Sequence, residues 1–234
     1  MISARRPVAP INRPVRERAA PVRAPRLRIG LLGGSFNPAH AGHRAISLEA
    51  LRRLRLDRVW WLVSPQNPLK PSDETTDLAQ RLAAARTAAD HPRVVVTDLE
   101  RRIGTRYSVD TLQWLTKRCR ARFVWLIGAD NLAQLPHWRR WRRLVRTVPI
   151  AVFDREPYSY VALAGRMASA YAGGRLVERR APVLAECPPP AWVYLRLRRH
   201  QASSTALRQK STASGRWARR KEDGHRHQNA HPNV

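Results

Sequence analysis

Six short apolar runs punctuate the chain: LRIGLL (27–32), RVWWLV (58–63), RVVVT (93–97), RFVWLIG (122–128), VPIAVF (148–153) and WVYLRL (192–197). They are rich in Val, Ile and Trp and show little polar alternation, the pattern of strands buried on both faces. Between them, HRAISLEALRRL (43–54), DLAQRLAAARTAAD (77–90) and SVDTLQWLTKR (108–118) repeat apolar residues at helical spacing. Strand and helix alternating in this way predict an α/β domain, with a doubly wound, mostly parallel sheet and helices on both faces. Ligands of such sheets bind beyond the carboxyl ends of the strands, so the loops that follow each run are where chemistry is expected. There is no internal repeat.

The periodicity stops at both ends. Residues 1–26 hold seven Arg and five Pro, and residues 209–234 are polar with Trp217 as their one large apolar group. Neither stretch can offset the entropy of ordering itself, so the folded unit is expected at 27–208, flanked by two basic, disordered extensions. Charge adds a second constraint. The formal charge is +27, of which +6 falls in 1–26 and +4 in 209–234, leaving a central part that is basic in its own right. That favours anionic partners such as nucleic acid, acidic membrane or phosphorylated small molecules, without choosing among them. Cys119 and Cys187 make neither a disulfide framework nor a CxxC pair and suit a reducing compartment. No run approaches the ~20 apolar residues that cross a bilayer, so no membrane association is expected and the chain is placed in the cytoplasm.

The most informative loop is GGSFNPAHAGH (33–43), directly after the first predicted strand. Gly33 and Gly34 are expected to let the backbone turn tightly and approach a bound group. The spacing is neither G-x-G-x-x-G nor a P-loop. Pro38 should end the turn and His40 to His43 open the next helix, whose unpaired N–H groups and dipole favour a phosphate. His40 and His43 share a face at i and i+3, so both imidazoles can point at one anion. A lone His in such a place is ordinarily a cap or a packing residue, and a zinc pair would need further ligands that no metal spacing supplies. No protein-bound metal is therefore expected.

GGSFNPAHAGH resembles the signature of the adenylyltransferase superfamily, G-[GS]-[ST]-F-[DN]-P-x-H-x-G-H. A second superfamily element, I-S-S-T-x-[IV]-R, is matched by QASSTALR (201–208) after the last strand. IGADNLAQLPHWRRW (127–141) and RYSVDTL (106–112) are similar to segments of the bacterial nicotinate-nucleotide adenylyltransferases, and SPQNPLKP (64–71) to their basic, Pro-rich loop. The resemblance covers nearly all of 27–208 and implies a Rossmann-like nucleotidyltransferase fold that joins ATP to nicotinate mononucleotide in NAD biosynthesis. It implies that Gly33, Gly34, Ser35, Phe36, His40 and His43 hold ATP, with Ser203, Ser204, Thr205 and Arg208 closing on the triphosphate. It implies further that Asp130 meets a ribose hydroxyl, that Trp138 stacks on the nicotinate ring, and that Ser108, beside Tyr107, meets the nicotinate carboxylate. Lys70 is the candidate phosphate contact of its loop. The cations expected around the triphosphate are His40, His43, Lys70, Arg208 and Mg²⁺ brought with ATP.

Three departures from the family pattern stand out. Asn37 replaces the more usual Asp; DREPY (154–158) replaces R-P-G-[YF], with Arg155 as its candidate contact to the mononucleotide phosphate; and nothing past Arg208 has the apolar face of a closing helix. Oligomeric state stays open. Two other readings compete: a relative of the same fold acting on phosphopantetheine or on nicotinamide mononucleotide, and a basic nucleic-acid-binding module built on WRRWRRLVR (138–146). The second leaves GGSFNPAHAGH and SSTALR without a purpose, so no specific nucleic-acid partner is expected.

Overall fold

A computed structural model describes residues 26–65, 76–155 and 157–197. Seven strands make one sheet: β1 (Arg28–Gly34), β2 (Arg58–Val63), β3 (Val94–Thr97), β4 (Arg122–Gly128), β5 (Ile150–Phe153), β6 (Arg175–Leu176) and β7 (Trp192–Leu195). Their order is β3-β2-β1-β4-β5-β7-β6, and every neighbouring pair is parallel. All six apolar runs became strands. Only β6 was not anticipated, because two residues carry no readable pattern.

The helices are α1 (Ala41–Arg53), α2 (Leu78–Ala89), α3 (Leu99–Arg102), α4 (Ser108–Arg118), α5 (Ala129–Gln134), α6 (Trp141–Val145), α7 (Ser159–Ala164) and α8 (Arg166–Ala170), with a 3₁₀ segment at Glu178–Glu186. Alternation along the strands divides the core in two. Ile29, Leu31, Phe123, Trp125, Ile127, Ile150 and Val152 join Leu112, Leu115, Leu132 and Leu144 on one face. Leu32, Val59, Trp61, Val124, Leu126 and Phe153 join Leu51, Leu54, Leu82 and Leu184 on the other.

From β1 the chain steps outward through β2 to β3, then returns to place β4 on the opposite side of β1. The connections therefore diverge at the carboxyl ends of β1 and β4 and leave a crevice there, the usual ligand position in an open α/β sheet. The residues that follow β1 and β4 are the histidine loop and the segment Ala129–Asp130.

Candidate active site

Gly33 and Gly34 do not make the turn after β1. Both continue the ladder, opposite Leu62 and Val63 of β2. Gly33 is needed for a different reason: a Cβ there would lie 2.5 Å from the Trp125 ring. The reversal falls instead at Phe36, in the left-handed region at φ 47°, followed by a cis Asn37–Pro38 bond. The Phe36 side chain is buried, stacked on Trp61 at 5.0 Å between ring centroids and tilted against His43 at 4.8 Å. What Phe36 can offer a ligand is its backbone.

His40 and His43 form a capping box at the start of α1, in places where Ser or Thr and Glu are more usual. The Gly42 N–H donates to His40 Nδ1 at 3.0 Å, and the His40 N–H donates to His43 Nδ1 at 3.2 Å. Two of the amides expected to face a phosphate are thus taken by the histidines themselves. The same bonds fix the tautomer: an Nδ1 that accepts leaves the proton of the neutral ring on Nε2. The two rings lie 3.9 Å apart, so the helix start presents a paired set of imidazole N–H donors.

These donors are uncharged at neutral pH. Burial, then the nearby Arg155 guanidinium, pulls His40 down to about 4. Burial, then His40 and Arg155, pulls His43 down to about 3. The expectation places both as cations around a triphosphate; without an anion beside them, the aromatic wall of Phe36 and Trp61 and a neighbouring arginine disfavour the imidazolium. The Ser47 hydroxyl holds this wall in register, donating to His43 O at 2.8 Å and accepting from Trp61 Nε1 at 2.7 Å.

Across the crevice, Asp130 lies in the first turn of α5, and its Oδ2 accepts from Arg155 Nη1 at 2.8 Å. Its Oδ1 is buried without a hydrogen-bond partner among the described residues, and a Cβ at Gly128 would sit 2.4 Å from it. Asp154, beside Arg155, accepts from the Tyr194 hydroxyl at 2.6 Å and from the Ser159 hydroxyl. This ties the Arg155 segment to β7 and α7. Burial, then the bond to Asp154, pushes Tyr194 up to about 12.

Tyr107 precedes α4 without capping it through its side chain, and Ser108 is the first helical residue. Arg139 lies over the Tyr107 ring at 4.6 Å, joining the RYSVDTL segment to HWRRW. Trp138 and Tyr107 both pack, half-buried, on the same side of the core. Trp138 and Trp141 separate here: Trp141 is buried in that core against Tyr171, whereas the Trp138 indole N–H is buried with no acceptor among the described residues. The indole N–H of the core residue Trp125 is likewise without an acceptor among the described residues.

The cytidylyltransferase-like family profile matches residues 31–210. A probable nicotinate-nucleotide adenylyltransferase of Bradyrhizobium sp. (strain ORS 278) is 53% identical over 192 residues, which is 82% of this chain and 98% of that protein. The chain belongs to the nicotinate-nucleotide adenylyltransferase family. Probable members from Methylorubrum extorquens and Gluconobacter oxydans are 52% and 53% identical, covering 99% and 94% of their own lengths and 78% of this chain in each case. The solved Plasmodium falciparum nicotinic acid mononucleotide adenylyltransferase complexed with NaAD shares the fold, with a TM-score of 0.59 at 14% identity over 78% of this chain and 83% of that one.

Of the residues that the family resemblance singles out, Gly33, Gly34, Ser35, Phe36, His40, His43, Asp130 and Arg155 are placed at or beside the crevice, and Tyr107, Ser108 and Trp138 on the α4 side of the sheet. Lys70, Ser203, Ser204, Thr205 and Arg208 lie outside the described residues. The Asn37 side chain accepts from Thr76 Oγ1 at 2.9 Å, joining the turn to the start of α2.

Two buried charged residues escaped the sequence. Arg81 is 3% exposed, and its guanidinium donates to four carbonyls: Thr76, Ser35, Ser64 and Pro65, each at 2.7–2.8 Å. One side chain thereby fixes the loop after β1, the loop after β2 and the start of α2. A signal was available, since Arg81 sits four and eight residues before Ala85 and Ala89 on the buried stripe of α2. Glu100, 5% exposed, accepts from the Thr111 hydroxyl of α4 at 3.2 Å, and burial pushes it up to about 7. Nothing in DLERR marks it.

Proposed function

We propose that this chain transfers the adenylyl group of ATP to nicotinate mononucleotide, giving nicotinate adenine dinucleotide and pyrophosphate in NAD biosynthesis. The observation that carries the reading is the histidine capping box at the β1/β4 switch point: two neutral imidazoles with Nδ1 spent on the backbone and Nε2–H left to give. Such donors suit phosphate oxygens, and they do not suit general-base or metal-ligand work, which needs a free lone pair.

No protein nucleophile is needed. An oxygen of the acceptor 5'-phosphate attacks the α-phosphorus, the bond to the bridging oxygen breaks, and pyrophosphate leaves with the electron pair. Catalysis then rests on alignment and on donors placed where charge spreads over the phosphoryl oxygens. In this reading His40 and His43, with the backbone of Gly33, Gly34, Ser35 and Phe36, hold the triphosphate. Lys70, Ser203, Ser204, Thr205 and Arg208 complete its shell. Asp130 takes a ribose hydroxyl and holds Arg155 for the mononucleotide phosphate. Ser108, Tyr107 and the first amides of α4 receive the nicotinate carboxylate, and Trp138 covers the ring, an indole face suiting an electron-poor pyridinium.

Magnesium is read as a companion of the nucleotide. Among the described residues no three His, Cys, Asp or Glu side chains gather around one point, and Asp130 has one oxygen committed to Arg155. The metal's ligands would be phosphate oxygens and water. No helix among the described residues is long and apolar enough to cross a membrane. We place the enzyme in the cytoplasm, with 27–208 as the transferase unit and 1–26 and 209–234 as its extensions.

The test is ATP-dependent pyrophosphate release with the acid and the amide mononucleotide, and with His43→Ala as control. Turnover should favour the acid by at least about tenfold, and His43→Ala should lose ~10²- to 10³-fold. A preference of that size for the amide overturns the acceptor; no release with either overturns the reaction.

A further inference from the structure

A cleft of about 700 Å³ opens between α4 and α6, lined by Gln113, Arg140, Arg142, Arg143, Arg146 and Thr147, with the buried Trp141 also lining it. It is not the crevice described above. Thr147 lies three residues before β5 begins, at the amino end of a parallel sheet whose candidate active site lies at the carboxyl ends.

Four arginines line it, and among the described residues none of the four has a carboxylate within ion-pair distance. Like charges held together in this way raise the free energy of the empty protein, and a bound anion relieves it. Two of the four arginines have a neighbour that orients them. With its amide oxygen turned to face Arg143, Gln113 accepts from Nη2 at 3.0 Å and from Nε; Arg142 lies over the Trp141 ring at 5.3 Å. Arg140 itself occupies the left-handed region at φ 50°, which glycine adopts freely, while its carbonyl accepts from the Arg143 and Leu144 amides. The chain thus accepts a strained backbone at a position whose side chain lines the cleft.

We propose that this cleft is a second anion site, for a compact ligand bearing several linked phosphates, distinct from the nucleotide crevice. Planar arginine forks match phosphate oxygens in pairs, and the volume falls in the range of small-molecule pockets. A nucleic-acid backbone would need a track running beyond the concavity. An anion seated there bridges α4, which begins at Ser108, and α6, which follows Trp138.

The experiment is calorimetric titration of the full chain with inorganic tripolyphosphate at physiological salt, read for stoichiometry. Wild type should take two equivalents and Arg142→Glu/Arg146→Glu one. The charge-matched control Arg179→Glu/Arg180→Glu, exposed arginines on the 3₁₀ segment, should still take two. His43→Ala should keep the cleft equivalent, which separates this site from the crevice. Circular dichroism of each variant establishes folding, and the single substitution Arg143→Gln, expected to weaken the second equivalent at least about tenfold, serves if the double variant unfolds. Two equivalents in Arg142→Glu/Arg146→Glu, or one in wild type, overturns the proposal. A 20-nucleotide RNA that outcompetes tripolyphosphate for the cleft also overturns it, in favour of a nucleic-acid surface.

Discussion

Glu100→Gln isolates the buried carboxyl behind α4. Its ordinary value of 4.5 is raised to about 7, chiefly by burial and against the opposing bonds from Thr111 and Ser64. The folded state therefore holds this proton more tightly than the unfolded chain does. The carboxyl's contribution to stability is full below pH 4.5 and is lost as the pH rises through about 7. At about 1.4 kcal/mol per pH unit, the interval corresponds to roughly 3 kcal/mol, of which about 2.5 falls between pH 5 and pH 8. Glutamine keeps an oxygen for the Thr111 hydroxyl and has nothing to ionise. Thermal unfolding followed by tryptophan fluorescence should thus show the variant gaining on wild type as the pH rises. The gain in Tm from pH 5 to pH 8 should be about 5–10 °C, taking ~2–4 °C per kcal/mol for a domain of this size. Because both proteins share every other titrating group, the difference reports Glu100 alone. A difference in Tm that is the same at pH 5 and pH 8 would refute the assignment.

Three other outcomes follow from the geometry. Imidazole NMR signals of His40 and His43 should stay in the neutral form from pH 8 down to pH 5. The stability that depends on them is present above 6.5 and lost as the pH falls through about 4 and about 3; a midpoint near 6.5 for either ring would show that it is not enclosed. Gly33→Ala places a methyl 2.5 Å from the Trp125 ring and should cost about 1–3 kcal/mol in urea unfolding, so a change under about 0.5 contradicts the packing described. Arg81→Leu leaves four carbonyls without their donor and should cost about 3–5 kcal/mol, with Lys restoring only part because an ammonium lacks the fork. A loss under about 1 kcal/mol would mean that water replaces the guanidinium without penalty.

The elements that apolar periodicity marks were legible before folding, since RVWWLV, RFVWLIG and SVDTLQWLTKR became β2, β4 and α4 with the anticipated limits. So was the position of the crevice, because a parallel sheet opens one where the connections diverge. What could not be read was the use made of each residue. The sequence spacing of His40 and His43 allows a cap or a phosphate contact, and the structure makes them a cap whose outer nitrogens remain to donate. The glycines after LRIGLL suggested a turn, yet Gly33 answers to a tryptophan some ninety residues away in the chain. Arg155 falls in a segment that departs from the family pattern, and its place became visible only through Asp130 and the two histidines. Partners remote in sequence leave no local trace.

Arg81 has one more effect, on the chain it brackets. Pro65 and Thr76 each give a carbonyl to the same guanidinium, at 2.8 Å, so the two ends of the intervening stretch, which carries Lys70, are clasped together. The spacing of those two ends is thus set by a residue of α2 rather than by the residues between them, so one buried guanidinium acts as a buckle for the sequence on either side.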